Sequence, residues 1–204
     1  MPSPETLALF STAVLLLLLS PGPNMAFVLV HGVHYGRRGA LQIAFGIGVA
    51  DIVLTVLTAS GLGLFFAETP AAQGALRLCG AAYLFHLAWR ALTPKDLPEV
   101  GGDSLVAAHA LWWRACLNSL LNPKAVLFFA LFLPQFLEAG RGPASAQLVA
   151  LGSWLTVLSV LFHALLGAAG SLMRRWIAPN GQGRKSMARI TALVLFLLGL
   201  RLLA

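Results

Sequence analysis

The chain has 204 residues, of which 58% are hydrophobic and only 10% charged, with a formal net charge of +7 and a mean hydropathy of +0.82. Soluble domains carry roughly 25% charged residues, so the composition excludes an ordinary soluble fold and describes a polytopic membrane protein. The base sits in short connections between apolar runs, which argues against a nucleic-acid partner.

In chain order, six apolar runs are long enough for a hydrocarbon core of about 30 Å. They are Thr6–Val30, Ala40–Phe66, Ala71–Leu92, Leu111–Leu137, Ala146–Leu172 and Ala188–Leu203. The leading MPSPE lacks the positive region and small-residue cleavage site of a secretory signal, so the first run reads as a permanent helix.

That first run is interrupted by SPGPN. Pro21 and Pro23 each remove a donor and disrupt the hydrogen bond expected one turn earlier. Gly22 allows close approach of another chain or a ligand. Lipid satisfies no loose backbone group, so such a break belongs against protein or a watery cavity. The freed carbonyls near Leu17 to Leu19, with Asn24 beside them, are candidates for contact with a polar solute. The bland alternative is a structural kink.

The second run carries Asp51 near its middle. Gly48, Asp51, Thr55 and Thr58 recur at helical spacing and form one small-polar stripe. A carboxylate facing lipid is too costly, so the stripe should face the bundle or a cavity. Asp51 is therefore a candidate for substrate binding or for titration during transport, or else a structural ion-pair partner.

The fourth run is also broken, at SLLNPKAVLFF. Pro123 should free carbonyls near Ser119, while Asn118 and Asn122 lie four apart on one face. Lys124 is an ammonium with apolar sequence on both sides. It could meet a substrate carboxylate, pair with Asp51, or snorkel to the interface.

Two connections are long. Thr93–Ala110 contains TPKDLPEVGGD, and Met173–Met187 holds four basic residues with an Asn-Gly turn signal. Ten of the fourteen Lys and Arg flank the first, third and fifth connections, against three on the other side and Lys124 within a span. By the positive-inside bias those three connections are cytoplasmic and both termini external.

The chain thus reads as an all-α integral membrane protein of six transmembrane helices. It forms one transporter domain, residues 1–204, with pseudo-repeats 1–97 and 105–204. Three helices per half is an odd number, so the halves would form a 3+3 inverted repeat, with proline-broken first and fourth helices marking the binding site. The candidate site comprises Pro21, Gly22, Pro23, Asn24, Asp51, Asn118, Asn122, Pro123 and Lys124.

The blocks SPGPNMAFVL, RRGALQIAFGIGVAD, LRLCGAAYLFHLAWRAL and LNSLLNPKAVLFFALFLPQF, in this order, resemble the LysE/RhtB family of amino-acid exporters. PGPN together with NPK and PQF makes the resemblance specific, and it covers nearly the whole chain. It implies a bacterial inner-membrane, multi-pass secondary exporter of amino acids or their derivatives, driven by a proton or other ion gradient. The family motifs fall on Pro21, Gly22, Pro23 and Asn24, on Asp51, and on Asn122, Pro123 and Lys124. The expected partners are an amino-acid substrate, H+ and membrane lipid, with a homodimer compatible and no nucleic acid.

The same residues speak to two rival classes. Metal-ion export wants several His, Asp or Cys together, and the five His are scattered, His31 and His34 alone being close. A thiol-electron carrier wants cysteines that meet, whereas Cys79 and Cys116 stand alone in separate runs and read as buried small hydrophobes. No HExxH, Walker A or GxSxG pattern is present. No enzyme, metal site or cofactor is expected.

Overall fold

The computed structural model describes residues 2–20, 22–61, 69–92, 105–177 and 181–203. All its regular elements are helical. Helix α1 spans Pro4–Leu19, α2 Pro23–Ala59, α3 Pro70–Leu92, α4 Leu105–Leu120, α5 Pro123–Leu127, α6 Ala144–Ile177 and α7 Gly181–Leu203. Between α5 and α6 the chain continues as a π turn, Phe128–Phe132, and a 3-10 turn, Leu133–Phe136.

Both proline motifs break their helices. Pro4–Leu19 meets Pro23–Val33 at 63°, and Leu111–Leu120 meets Pro123–Phe136 at 57°. Bends above about 20° nearly always trace to proline, glycine or a π-bulge, and all three occur here.

The expected connection between the first two runs is compressed to a single residue. Gly36, at φ 67 and ψ −161, is the non-helical point within α2. A side chain is disfavoured at that positive φ, which is why glycine occupies the bend. Arg37 and Arg38, just beyond it, are exposed.

Helix α2 packs chiefly along α6 and α4, while α3 and α7 form a second pair. Small residues permit the close approach. A Cβ on Gly32 would lie 2.7 Å from the Gly167 carbonyl oxygen, and one on Gly48 would lie 2.7 Å from Val160 Cγ2. This is how membrane helices pack where lipid supplies no hydrophobic drive between them. Leu84 and Ala88 of α3 bury against Ala192 and Leu195 of α7.

The main apolar core joins Phe10 and Val14 of α1, Leu54 of α2, Val126, Phe128, Phe129 and Leu133 of the second broken segment, and Leu148, Leu151 and Leu155 of α6. Outside it, Leu9, Leu16, Leu41, Phe45, Ile52, Leu161 and Leu165 are all more than half exposed. A soluble protein would not present such a belt. It suits contact with acyl chains.

Among the described residues two helices, Tyr35–Ala59 and Ala144–Leu172, are individually long and apolar enough to cross a bilayer, and four spans result if each bent pair counts as one. The expected third and sixth spans do form helices, α3 and α7, but neither meets that criterion. Helix α3 contains Gln73, Arg77, His86 and Arg90, and among the described residues α7 contributes the shorter apolar helix Ala192–Arg201. The expected loop Met173–Met187 is largely helical, with only residues 178–180 outside the described chain, as are residues 93–104 of the other linker. Cys79 also departs from expectation: it is exposed on α3, whereas Cys116 is buried.

Candidate functional site

Helix α1 ends at Ser20, whose φ −71 and ψ 123 are extended. The last carbonyls of any helix lack intrahelical donors, and in a membrane they must find others. They find Lys124. Its Nζ donates to the Leu17 carbonyl oxygen at 2.9 Å and to that of Ser20 at 2.8 Å. An ammonium at a helix C-terminus is also favoured by the helix dipole. Hydrogen bonds to a charged group contribute about 1.5–3 kcal/mol each, so these two contacts tie one break firmly to the other.

Helix α2 starts on the far side of the same break. Pro23 takes the first helical position, which suits its missing donor, and Gly22 precedes it with extended backbone and no side-chain cap. Asn24 follows, and it points across to the second break. Its Nδ2 donates to Ser119 Oγ at 3.0 Å, and its Oδ1 accepts from Asn118 Nδ2 at 2.8 Å.

The second break repeats the pattern with a proper cap. Asn122, at φ −85 and ψ 106, caps α5 by accepting from the Lys124 backbone N–H at 3.1 Å. Pro123 sits at the first helical position. Each broken segment therefore supplies the side chain that satisfies the other: Lys124 reaches back to α1, and Asn24 reaches forward to α4.

Asp51, on the α2 run beyond Gly36, is 3% exposed, and Thr55 and Thr58 on the same stripe are 4% and 7% exposed. Thr55 Oγ1 donates to the Asp51 carbonyl at 2.8 Å, so it serves the backbone rather than the carboxylate. Ser159 of α6 lines the same cavity as Asp51. The Asp51 side-chain oxygen Oδ2 is buried with no hydrogen-bond partner. Leaving a buried acceptor unmet is costly, and Asp51 lines the cavity described below.

One turn beyond Ser159, His163 is buried, and its Nδ1 lies 2.8 Å from the Ser159 carbonyl oxygen. A carbonyl only accepts, so Nδ1 carries the proton and Nε2 is the basic nitrogen.

These groups line one cavity of about 60 Å³. Gly22, Asn24, Asp51, Asn122, Lys124, Ser159 and His163 give it polar wall, while Val14, Leu17, Leu18, Met25, Phe128, Phe129 and Leu155 give it apolar wall. That is well above the roughly 10–15 Å³ a cavity needs to hold a water.

Of the residues singled out from the sequence, Gly22, Asn24, Asp51, Asn122 and Lys124 share this cavity. Pro23 and Pro123 begin the two half-helices, and Asn118 stands behind Asn24 as its donor. Pro21 lies outside the described residues. Among the described residues Lys124 makes no ion pair with Asp51; the helix-end carbonyls hold its ammonium instead. Sequence reasoning missed Ser159 and His163. Their signal was available in α6, where Gly152, Thr156, Ser159 and His163 recur at three- and four-residue spacing.

A family model for LysE type translocators matches residues 15–204. The chain is 27% identical over 183 residues to the leucine efflux protein of Salmonella typhimurium, covering 89% of this chain and 84% of that one. It is 30% identical over 178 residues to the leucine efflux protein of Klebsiella pneumoniae, covering 85% and 81%. It is 32% identical over 170 residues to an uncharacterized membrane protein of Pseudomonas aeruginosa, covering 80% and 78%. No solved structure matches the chain. The chain belongs to the LysE/RhtB family of amino-acid efflux proteins, and is a multi-pass secondary transporter of the inner membrane rather than an enzyme.

Proposed function

We propose that the protein carries amino acids with apolar side chains, leucine among them, out of the cytoplasm in exchange for protons. The observation that carries this reading is the pairing, on one small cavity, of an unpartnered buried carboxylate oxygen at Asp51 with an ammonium at Lys124. An amino acid brings the complementary charges. Its ammonium suits Asp51 Oδ2, and its carboxylate suits Lys124 together with the N-terminus of α2 at Gly22 and Asn24. The remaining wall, from Val14 to Phe129 and Leu155, suits a branched aliphatic side chain. The leucine efflux proteins among the relatives support the same choice.

Proton exchange follows from one carboxylate serving two ligands in turn. Asp51 holds the substrate ammonium while ionised and releases it when protonated, so a proton entering from outside would drive the amino acid out. His163 and Ser159 stand beside Asp51 and would tune that exchange.

The topology proposed with this function has six crossings, with α1 and the start of α2 as the first and the run beyond Gly36 as the second. Both termini are external and the basic connections cytoplasmic, with 1–97 and 105–204 as inverted repeats. The similar bends, 63° and 57°, support the repeat, and the ten-to-three basic bias supports the orientation. Reporter fusions after Thr93 and after Pro179 should both read cytoplasmic; an external reading at either overturns the topology.

Counterflow in proteoliposomes tests the substrate. Vesicles loaded with unlabelled leucine should take up labelled leucine, and preloading with valine or methionine should serve nearly as well. Preloading with aspartate should not. Absence of exchange with every amino acid would contradict the reading.

A further inference from the structure

The carbonyls that Lys124 holds are of a kind that transporters use for another purpose. In transporters built on broken helices, unwound carbonyls and half-helix C-termini coordinate the coupling cation. The end of α1 offers such a set, the Leu17 and Ser20 oxygens beside the extended Ser20 backbone. Here the set is already filled. The Lys124 ammonium sits 2.9 and 2.8 Å from the two oxygens, and its stem comes from the other half of the chain.

We infer that the Leu17 and Ser20 carbonyls form a monovalent-cation site whose permanent occupant is the tethered ammonium of Lys124. Two consequences follow. The wild-type carrier needs no free sodium or potassium ion, because its cation is covalently attached. Removal of the ammonium, with the carbonyls left in place, should convert the protein into one that binds a free monovalent cation.

The surroundings agree with a built site rather than a snorkelling lysine. The side chain is only partly exposed, its own backbone N–H is fixed by the Asn122 cap, and both acceptors belong to a helix 104 to 107 residues away. A Cβ on Gly22 would make ordinary contact with Lys124 Cδ at 3.6 Å and Nζ at 3.7 Å, which places the lysine stem directly against the first break. Two carbonyls engage two of the three ammonium hydrogens, leaving the third for the cavity. A primary alkylammonium ion reproduces that donor pattern, whereas sodium supplies charge alone.

The transport arm of the test rests on the function proposed above; the binding arm does not, which keeps the two failures apart. Detergent-purified wild type and Lys124→Ala are melted in sodium, methylammonium and choline chlorides at equal ionic strength. Wild type should melt at one temperature in all three. Lys124→Ala should melt lower in choline and recover by several degrees, saturably, in methylammonium or in sodium. Recovery by methylammonium alone identifies a hydrogen-bonding ammonium site, and recovery by both a general cation site. Lys124→Met, which refills the volume without charge, should respond to neither. A folded Lys124→Ala blind to every cation would overturn the inference. Should that variant fail to fold, wild-type leucine counterflow decides: equal rates in sodium and choline are expected, and a requirement for sodium overturns it.

Discussion

The Asn118 amide donates to the side-chain oxygen of Asn24 at 2.8 Å, across 94 residues of sequence and between the two broken segments. Asn24 in turn donates to Ser119 Oγ. The two residues thus close one polar clasp, and the Lys124 contacts with α1 close a second.

Loss of the first clasp should be measurable by itself. Asn24→Ala removes both bonds and leaves the buried Asn118 amide unmet, a cost of about 1–3 kcal/mol. The double variant Asn24→Ala with Asn118→Ala should cost clearly less than the sum of the single changes, because the pair acts as a unit. Thermal melts in detergent check it; strict additivity would show that the clasp contributes nothing.

Glycine packing gives a sharper contrast. A Cβ on Gly46 would collide with the Trp112 backbone carbonyl, which cannot rotate away, whereas one on Gly74 of α3 meets nothing within 4 Å. Gly46→Ala should destabilise by about 1–3 kcal/mol through overpacking. Gly74→Ala should be neutral or stabilise by up to about 1 kcal/mol through helix propensity. Equal melting temperatures for the two variants would contradict the close α2–α4 contact.

At the N-terminal end of α1 the Ser3 backbone N–H donates to Glu138 Oε1 at 2.7 Å, and Arg141 Nε lies 2.7 Å from Glu138 Oε2. The Ser3 N–H, the Thr6 side chain and Arg141 together hold the Glu138 carboxyl below its ordinary pKa. A depressed carboxyl contributes stability that is present above its unfolded pKa, near about 4.3, and is lost as pH falls through the lower folded value. Wild type should therefore lose melting temperature on acidification through that range. Glu138→Gln should start lower at neutral pH and lose less. A variant curve parallel to wild type would remove Glu138 from the acid response.

Much of this site was legible in the sequence because proline and charge are loud signals in an apolar chain. Pro23 and Pro123 announced both breaks, and the three- and four-residue recurrence of Gly48, Asp51, Thr55 and Thr58 announced a buried stripe. The partner of Lys124 was not legible, since the acceptors are backbone carbonyls, and every residue carries one. Side chains alone offered a substrate carboxylate, Asp51 or the membrane interface as its partner. His163 escaped for a different reason: its helix, α6, is so apolar that its polar stripe needs the same periodicity test that found Asp51. The bend at Gly36 was legible as a connection, but not as one confined to a single left-handed residue.

The proposed coupling centres on Asp51, which lines the cavity and whose buried Oδ2 has no hydrogen-bond partner. Leucine uptake into inverted, respiring membrane vesicles, compared between wild type and Asp51→Asn, tests it most directly. Wild type should accumulate leucine and lose it when a protonophore is added. Asp51→Asn, similar in size but unable to ionise, should fold and insert, retain some counterflow, and fall at least about tenfold in accumulation, a change equivalent to about 1.4 kcal/mol. Accumulation in Asp51→Asn equal to wild type, at equal protein in the membrane, would contradict the account.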